Sequence, residues 1–238
     1  MFTRPSLLTL AFVLGCTGFA CTAVGADKVL LKDDFNRSEK DDSKEQPGGK
    51  WKTNSKSRAG GNKQVDLKDG VLHIYRHKTA DHGVSVVHDL PFSNVDVQMR
   101  FKLRRGDDLG INLADMKEKS VHAGHICVAR VQTNRVTISD LKTGRMRLEV
   151  RTARKSGKET PEMKRLIKSK ENAVKHALTP DQWHQLHVKI DGNTMSVKID
   201  GKLVNQFASP GIGHPTKSRL RLSVNKQAWI DDLLVTSP

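Results

Sequence analysis

The chain has 238 residues and a formal net charge of +15, because 41 Lys and Arg outnumber 26 Asp and Glu. Hydrophobic residues make up 36% of it, which is lean for a globular protein but sufficient for one core. Its three cysteines exclude a disulfide-rich scaffold. No second long apolar stretch follows the N-terminus, which excludes a multispan membrane protein.

The first 26 residues have the organisation of an export signal. Arg4 gives a short positive region, segment 7–14 (LLTLAFVL) is strongly apolar, and segment 24–26 offers the small side chains that a signal peptidase accepts. We predict cleavage after Ala26 and a periplasmic or extracellular location, with residues 27–238 as a single domain. No membrane span is expected after the signal is removed.

Two alternatives to a cleaved signal remain open. Left uncleaved, the uncharged stretch 5–26 would anchor the protein in a membrane. Cys16 follows Val-Leu-Gly, an imperfect lipoprotein box, so lipidation of Cys16 is the second alternative. Cleavage after Ala26 would leave Cys127, which lies inside an apolar run and is expected to be a buried small hydrophobic residue.

Alternation of apolar and polar residues from position 71 onward predicts strands. It is strictest over 95–103, where every second residue is apolar. Asp-Gly pairs at 69–70 and 200–201 supply residues that tolerate positive φ and predict tight turns. The fold class predicted is all-β, a two-sheet antiparallel β-sandwich of the jelly-roll type. Further candidate strands lie at 71–76, 84–90, 109–114, 125–132, 134–140, 145–151, 186–190, 195–199, 202–207, 220–224 and 228–235.

One segment, the insertion 152–178, departs from the strand pattern. Thr160 has the character of an N-cap, Pro161 suits the first helical position, and apolar residues follow at helical spacing. We predict one amphipathic helix at about 161–177 that covers one edge of the sandwich.

Positive charge is concentrated around this insertion. Residues 142–175 contain twelve Lys and Arg against four Glu. Such a field attracts polyanions. The chain shows no nucleic-acid-binding motif and export separates it from the genome, so nucleic acid is not an expected partner. An acidic polysaccharide suits the predicted compartment better, and a solvated basic face without a partner is the alternative.

The C-terminal third carries a recognisable pattern in segments 181–193 (DQWHQLHVKIDGN), 195–202 (MSVKIDGK) and 229–235 (WIDDLLV). It resembles the concanavalin A-like lectin/glucanase sandwich. In that fold a Trp-His pair opens a strand, an Asp-Gly hairpin follows, and a last strand reads Asp-x-apolar-x-apolar. Segment 31–35 (LKDDF) looks like the first strand of the same fold.

More narrowly, the chain resembles exported bacterial domains related to the 3-keto-disaccharide hydrolase family, which segments 69–72 and 124–127 also fit. The glucanase branch of the sandwich carries Glu-x-Asp-x-x-Glu along one strand. Strand 95–103 has Asp96 alone, so a glucanase of that mechanism is not expected. The resemblance implies an exported carbohydrate-active domain. It leaves open whether the domain cleaves 3-keto-glycosides or is a non-catalytic binding or adhesion module.

The related hydrolase family acts on sugars that are already oxidised at C3. The C3 carbonyl acidifies the C2 hydrogen, so a base could remove it and expel the substituent at C1. Histidine has a suitable pKa for this step. We predict His125 as the catalytic residue, Asp115 as the group that orients its imidazole, and His82 as a third participant. These histidines could equally be polar strand and loop residues without a catalytic role.

Sugar contacts are predicted at Trp51 and Tyr75, which belong to no packing motif, and at Arg100. Trp183 and Trp229 lie in motifs that normally pack the sandwich and are expected in the core.

Calcium is the candidate cofactor that the resemblance implies, where the first and last strands meet. Asp34 and Asp232, beside Asp33 and Asp231, are the predicted ligands. His122 and His125 do not suggest a metal site, because residues three apart on a strand point to opposite faces.

Overall fold

The structure is a computed structural model, and it describes Met1 and residues 27–238; the predicted signal therefore lies outside the described residues. Within 27–238 the chain is built mainly from strands that pair antiparallel in two sheets. In chain order, the strands are β1 Lys28–Asp33, β2 Lys52–Thr53, β3 Val65–Lys68, β4 Val71–Tyr75, β5 Val84–Phe92, β6 Val95–Lys102, β7 Asp108–Ala114, β8 His125–Gln132, β9 Arg135–Asp140, β10 Glu171–Lys175, β11 Trp183–Asp191, β12 Thr194–Ile199, β13 Lys202–Ala208, β14 Lys217–Val224 and β15 Gln227–Ser237.

The two sheets form the predicted all-β sandwich. One has eight strands, in the order β13-β12-β11-β6-β15-β4-β3, with β1 also paired to β15. The other has seven strands, in the order β10-β9-β8-β7-β14-β5-β2. Neighbours along the chain are often not neighbours in a sheet, as in a jelly roll, so the site residues below come from distant parts of the sequence.

Alternation along the strands creates the core between the sheets. In β6 the residues Val95, Val97, Met99 and Phe101 are at most 1% exposed, and the intervening residues face outward. The period of two thus buries one face of each strand, as predicted. Asp69 and Asp200 adopt positive φ, each followed by a positive-φ glycine, which confirms both Asp-Gly turns.

Three helices occur in the described residues: α1 Ser55–Arg58, α2 Leu148–Lys155 and α3 Pro161–Ser169. The predicted cap is present, since the Thr160 hydroxyl accepts from the Met163 amide at 3.3 Å. The predicted helix 161–177 is too long, however. It ends at Ser169, and the residues after it form β10, the edge strand that pairs with β9. No residue of α3 is fully buried, and its apolar residues Met163, Leu166 and Ile167 are half-buried.

A second correction concerns segment 145–151, predicted as a strand. Residues from Leu148 onward form α2, which buries Val150. Short apolar runs are ambiguous between strand and helix, and here α2 packs over one sheet instead of extending it. No helix among the described residues is long and apolar enough to cross a membrane.

Candidate active site

A cavity of about 210 Å³ lies on the face of the seven-stranded sheet that points away from the core. Strands β5, β7, β8 and β14 form its floor, and the segment 141–151, which includes the first turn of α2, forms a wall. Arg221 shows why the floor is polar: Leu220 and Leu222 point into the core, so Arg221 points out. The titratable and amide side chains of the lining are His82, Asn112, His122, His125, Arg130, Arg145, Arg151, Arg221 and Asn225.

A second cavity, of about 350 Å³, adjoins the first. The two share His82, His122, His125 and Arg221, together with Ser85. The shared side chains therefore lie between two spaces.

A sharp turn brings His122 and His125 together. Ala123 and Gly124 both have positive φ within a 3₁₀ turn, His122–Gly124. A Cβ on Gly124 would lie 2.3 Å from the Asp115 carbonyl oxygen, so only glycine fits there. The two imidazoles stack with centroids 6.3 Å apart. The expectation that they point to opposite faces is wrong, because this segment is a turn and not a strand.

His125 is held from two sides. Asn112 Nδ2 lies 2.8 Å from its Nδ1, and Arg221 Nη1 lies 2.7 Å from its Nε2. A neutral imidazole has one N–H and one lone pair, so it cannot accept from both groups. The buried Oδ1 of Asn112 has no partner. If the side-chain amide of Asn112 is rotated by 180°, its Nδ2 and Oδ1 exchange places. His125 Nδ1–H then donates to Asn112 Oδ1, and His125 Nε2 accepts from Arg221.

This environment keeps His125 neutral. Burial, followed by the charge of Arg221, lowers the pKa of His125 to about 3. Burial also lowers the pKa of His122, with Arg151 and Lys155 adding to the effect. His125 is therefore uncharged at neutral pH, and the lone pair on its Nε2 accepts a hydrogen bond from the Arg221 guanidinium.

His82 is differently placed. Its Nδ1 lies 2.9 Å from the Gly83 carbonyl oxygen, which can only accept, so Nδ1 carries the proton. The Gly83 carbonyl is itself fixed by Asn54 Nδ2 at 2.9 Å. In the neutral ring this leaves Nε2 with its lone pair, on a side chain that lines both cavities.

Among residues 27–238, no Asp or Glu lines the 210 Å³ cavity, although four arginines do. Two of the four have carboxylate partners: Arg130 pairs with Asp108, and Arg145 Nη1 lies 3.3 Å from Glu171. The Nε of Arg145 is buried without a partner. Arg151 and Arg221 make no ion pair with any carboxylate in residues 27–238.

Arg221 is the clearest case of a buried positive charge without a negative partner. It is 9% exposed, and burial lowers its pKa to about 10, so it stays charged at neutral pH. A buried ion without a counter-charge costs several kcal/mol, which the fold tolerates here in exchange for a cationic cavity.

The structure places the three predicted catalytic residues unequally. His82 and His125 line the same cavity. Asp115 does not contact His125: its carboxylate accepts from Thr216 Oγ1 at 2.6 Å and lies 3.2 Å from His214 Nε2. The predicted orientation of His125 by Asp115 is therefore wrong, because Asp115 is engaged by Thr216 and His214, and Asn112 takes that position.

The three predicted sugar contacts lie elsewhere. Trp51 is 6% exposed, and its Nε1 donates to Asp33 at 2.8 Å, so it is a core residue. Tyr75 lines a separate open cavity of about 760 Å³ beside the eight-stranded sheet. Arg100 lies on the outward face of that same sheet, with Nη1 3.1 Å from Asp231. None of the three lines the histidine cavity.

The expectation of a core position for Trp183 and Trp229 is also wrong. Both are half-buried on the outward face of the eight-stranded sheet, where they flank Lys102 in one row across β11, β6 and β15. The Lys102 ammonium lies 5.3 Å from one indole centroid and 5.0 Å from the other.

The carboxylates predicted to bind calcium are already engaged. Arg100 lies 3.5 Å from Asp232 and also contacts Asp231, while Asp34 accepts from the Asn36 amide at 3.1 Å. No group of three or more His, Cys, Asp or Glu suited to a metal ion occurs in the described range 27–238. With a guanidinium as counter-cation, this donor set does not fit a calcium site.

Cys127 is fully buried, as expected, and burial raises the pKa of its thiol to about 12. It is therefore no nucleophile at neutral pH.

Sequence reasoning missed the arginines and Asn112. Arg221 was identifiable as outward-facing from the alternation in 220–224, and Arg130 from its strand. What the sequence does not show is that β14 and β8 flank β7 in one sheet, which brings both arginines over one cavity.

The family model of a 3-keto-alpha-glucoside-1,2-lyase-like domain matches residues 39–233. A search of curated proteins finds no match.

Solved structures share the fold at low sequence identity. A non-specific endo-β-1,3(4)-glucanase of family GH16 is similar with a TM-score of 0.60 and 11% identity, covering 90% of this chain and 96% of the other. The laminarinase from Rhodothermus marinus gives 0.56 and 11%, covering 89% and 97%. The carbohydrate-binding module CBM66 from Bacillus subtilis gives 0.51 and 11%, covering 79% and 96%. The fold is thus a jelly-roll sandwich of the concanavalin A-like type, and the chain belongs to the family of 3-keto-alpha-glucoside-1,2-lyase-like domains.

Proposed function

We propose that the histidine and arginine cavity cleaves a glycoside that is already oxidised at C3, by eliminating the C1 substituent. The carrying observation is His82: the Gly83 carbonyl fixes its proton on Nδ1, which leaves Nε2 as a base at the junction of the two cavities. Family membership supports the substrate class. His82 suits the role of base better than His125, whose lone pair accepts from Arg221.

The reaction balances without a further reagent. His82 Nε2 takes the hydrogen from C2, and the electron pair of that C–H bond delocalises onto the C3 oxygen as an enolate. The enolate then forms the C1=C2 double bond as the C1–O bond breaks. The departing oxygen takes its proton from water, which has access because the adjoining cavity is open.

Arg221 is the group placed to stabilise the enolate. Its guanidinium is charged, nearly buried and free of carboxylates, and it faces the cavity. A preorganised donor of this kind contributes about 10²–10³ in rate. His125 and Asn112 fix the guanidinium in place through the contact at 2.7 Å.

We also propose that the protein is exported, since its substrate class and the N-terminal sequence suit a periplasmic or extracellular location. Fusion of residues 1–26 to a reporter that is active only after export tests this directly.

The function is tested by incubating the protein with 3-keto-glucosides and their unoxidised parents while following release of the C1 substituent. We expect release from the keto sugars alone. His82→Gln should lower kcat by about 10²–10⁴, the usual contribution of a general base. His176→Gln is the matched control, because His176 lies on the surface near Asn134 and lines neither cavity.

Two results would overturn the assignment. Full activity in His82→Gln would exclude His82 as the base. Absence of release from every keto sugar, with carbohydrate binding retained, would favour the binding module, with the exposed basic helix α3 as the surface to study.

A further inference from the structure

The cavity holds more positive charge than the proposed reaction uses. Its lining has four arginines and no acid. Asp108 balances Arg130 and Glu171 balances Arg145, which leaves Arg151 and Arg221 without carboxylates among the described residues. The three histidines add no compensating negative charge. An enolate would match one of the two unbalanced guanidiniums, and only while it exists.

The remaining positive charge is built into the site. Arg221 is 91% buried with its guanidinium directed into the cavity, and the buried Nε of Arg145 has no hydrogen-bond partner. Burial of this kind is unfavourable unless a ligand supplies the missing acceptor. A neutral sugar offers hydroxyl acceptors but no counter-charge.

The wall segment 141–151, which supplies Arg145 and Arg151, overlaps the basic stretch 142–175. Arg145 precedes α2 and Arg151 lies within it, and both point to the cavity floor formed by β14 and β8. Most other cations of this stretch are solvent-exposed, including Lys164 and Arg165 on α3. The basic stretch 142–175 therefore contributes to the site through two specific side chains as well as through its overall charge.

We propose that the sugar bound in this cavity carries a permanent negative charge, as a carboxylate or a sulfate ester. The guanidiniums of Arg221 and Arg151 and the unpaired Nε of Arg145 would bind this charged group. This names the substrate class of the proposed function and rests on it only for the chemistry at C2. A guanidinium can bind a carboxylate through two parallel hydrogen bonds. A uronic acid, which carries its carboxylate on the sugar ring itself, is therefore the simplest sugar that fits.

Binding tests the charge requirement independently of catalysis. Methyl glucuronide and methyl glucoside differ only by the carboxylate at C6, and calorimetry on the full chain compares their affinities at low salt. We expect the glucuronide to bind at least tenfold more tightly. Methyl glucoside 6-sulfate is the third ligand: tighter binding than the glucuronide would assign a sulfate ester, and weaker binding a carboxylate.

Variants locate the effect. Arg151→Met with Arg221→Met should remove the preference for the charged sugar, and Lys164→Met with Arg165→Met, which removes as much charge from the exposed helix α3, should retain it. Equal affinity for the charged and neutral sugars would overturn the proposal. So would a preference that persists in the cavity variant or disappears in the α3 variant.

Turnover separates this proposal from the elimination reaction. If charged sugars bind selectively but no keto form is cleaved, the charge site stands and the proposed function fails. If the neutral 3-keto-glucoside is cleaved as efficiently as the 3-keto-glucuronide, the function stands and the charge site fails.

Discussion

The outward faces of the two sheets both carry cations, and they treat them in opposite ways. On the eight-stranded sheet, Arg100 is 3.1 Å from Asp231, and Lys102 lies between two indoles. Over the seven-stranded sheet, Arg221 of β14 and Arg151 of α2 face a cavity that no Asp or Glu of the described residues lines. The first face pairs its cations with its own side chains. The second leaves two cations without carboxylate partners, and this difference is what points to a site on the second face.

The difference between the two faces is tested most directly by removing one cation from each of them. Arg221→Met should lower kcat on a 3-keto-glycoside by about 10²–10³, since a preorganised donor to the enolate is lost. Its free energy of unfolding should stay level or rise, because the variant no longer buries an unpaired ion. Kinetics and urea denaturation on the same preparation measure both effects.

Arg100→Met is the matched control. It should leave kcat unchanged, because Arg100 lines neither cavity of the site. A marked loss of stability in Arg221→Met, or of activity in Arg100→Met, would contradict the distinction between the faces.

A paired arginine within the cavity sharpens the contrast. Arg130 balances Asp108, which is 4% exposed and also accepts from the Asn225 side chain at 2.8 Å. Arg130→Met should lower the free energy of unfolding by about 3 kcal/mol, because the buried carboxylate loses its counter-charge. Denaturant titration measures this. In the double variant Arg130→Met with Asp108→Asn much of the loss should return, and a loss that persists unchanged would place its origin in packing.

We also expect the cavity to make the stability of the folded protein sensitive to acid, through His125. The folded protein holds the pKa of His125 at about 3, and the unfolded value is about 6.5. Below pH 6.5 the unfolded chain binds a proton that the folded chain refuses, so stability falls as the pH falls. Between pH 8 and pH 5 we expect His125 to account for about 2 kcal/mol of the loss in unfolding free energy.

The measurement is the difference in unfolding free energy between pH 8 and pH 5, in the native chain and in His125→Asn. The variant should lose about 2 kcal/mol less over this interval. His187→Asn is the control from the other sheet, where His187 Nε2 lies 2.6 Å from Asp96. If His125→Asn and the native chain lose the same amount, the burial of a neutral imidazole is not the cause.

The sequence predicted the sandwich because a period of two is a local property. Strand β6, both Asp-Gly turns and the Thr160 cap follow from residues near one another in the chain. Segments 145–151 and 170–177 were predicted wrongly because their short apolar patterns fit helix and strand alike, and only packing on β9 and over the cavity decides between them.

The candidate site was predictable only in part, for a related reason. His82 and His125 were selected on chemistry, and the structure brings them to one cavity. Asp115 was paired with His125 by proximity in the chain, but its carboxylate lies against His214 instead. Arg221 meets His125 across 96 residues, a contact set by strand order, which no local pattern reveals.

The smallest expected effect concerns the outward face of the eight-stranded sheet, whose cations contact side chains of the same face. In one row across the eight-stranded sheet, His73 stacks on Trp229 with centroids 4.3 Å apart, and Lys102 lies between Trp229 and Trp183. Cation–π contacts at such half-exposed positions contribute about 0.5–1 kcal/mol each. Lys102→Met keeps the aliphatic stem and removes the charge, so it should lower the free energy of unfolding by about 1 kcal/mol. Sugar binding and turnover in the cavity should be unchanged, because this row satisfies its own charges. A change in the affinity for methyl glucuronide in Lys102→Met would show that the two faces are not independent, and that cations other than those of the cavity guide the charged ligand.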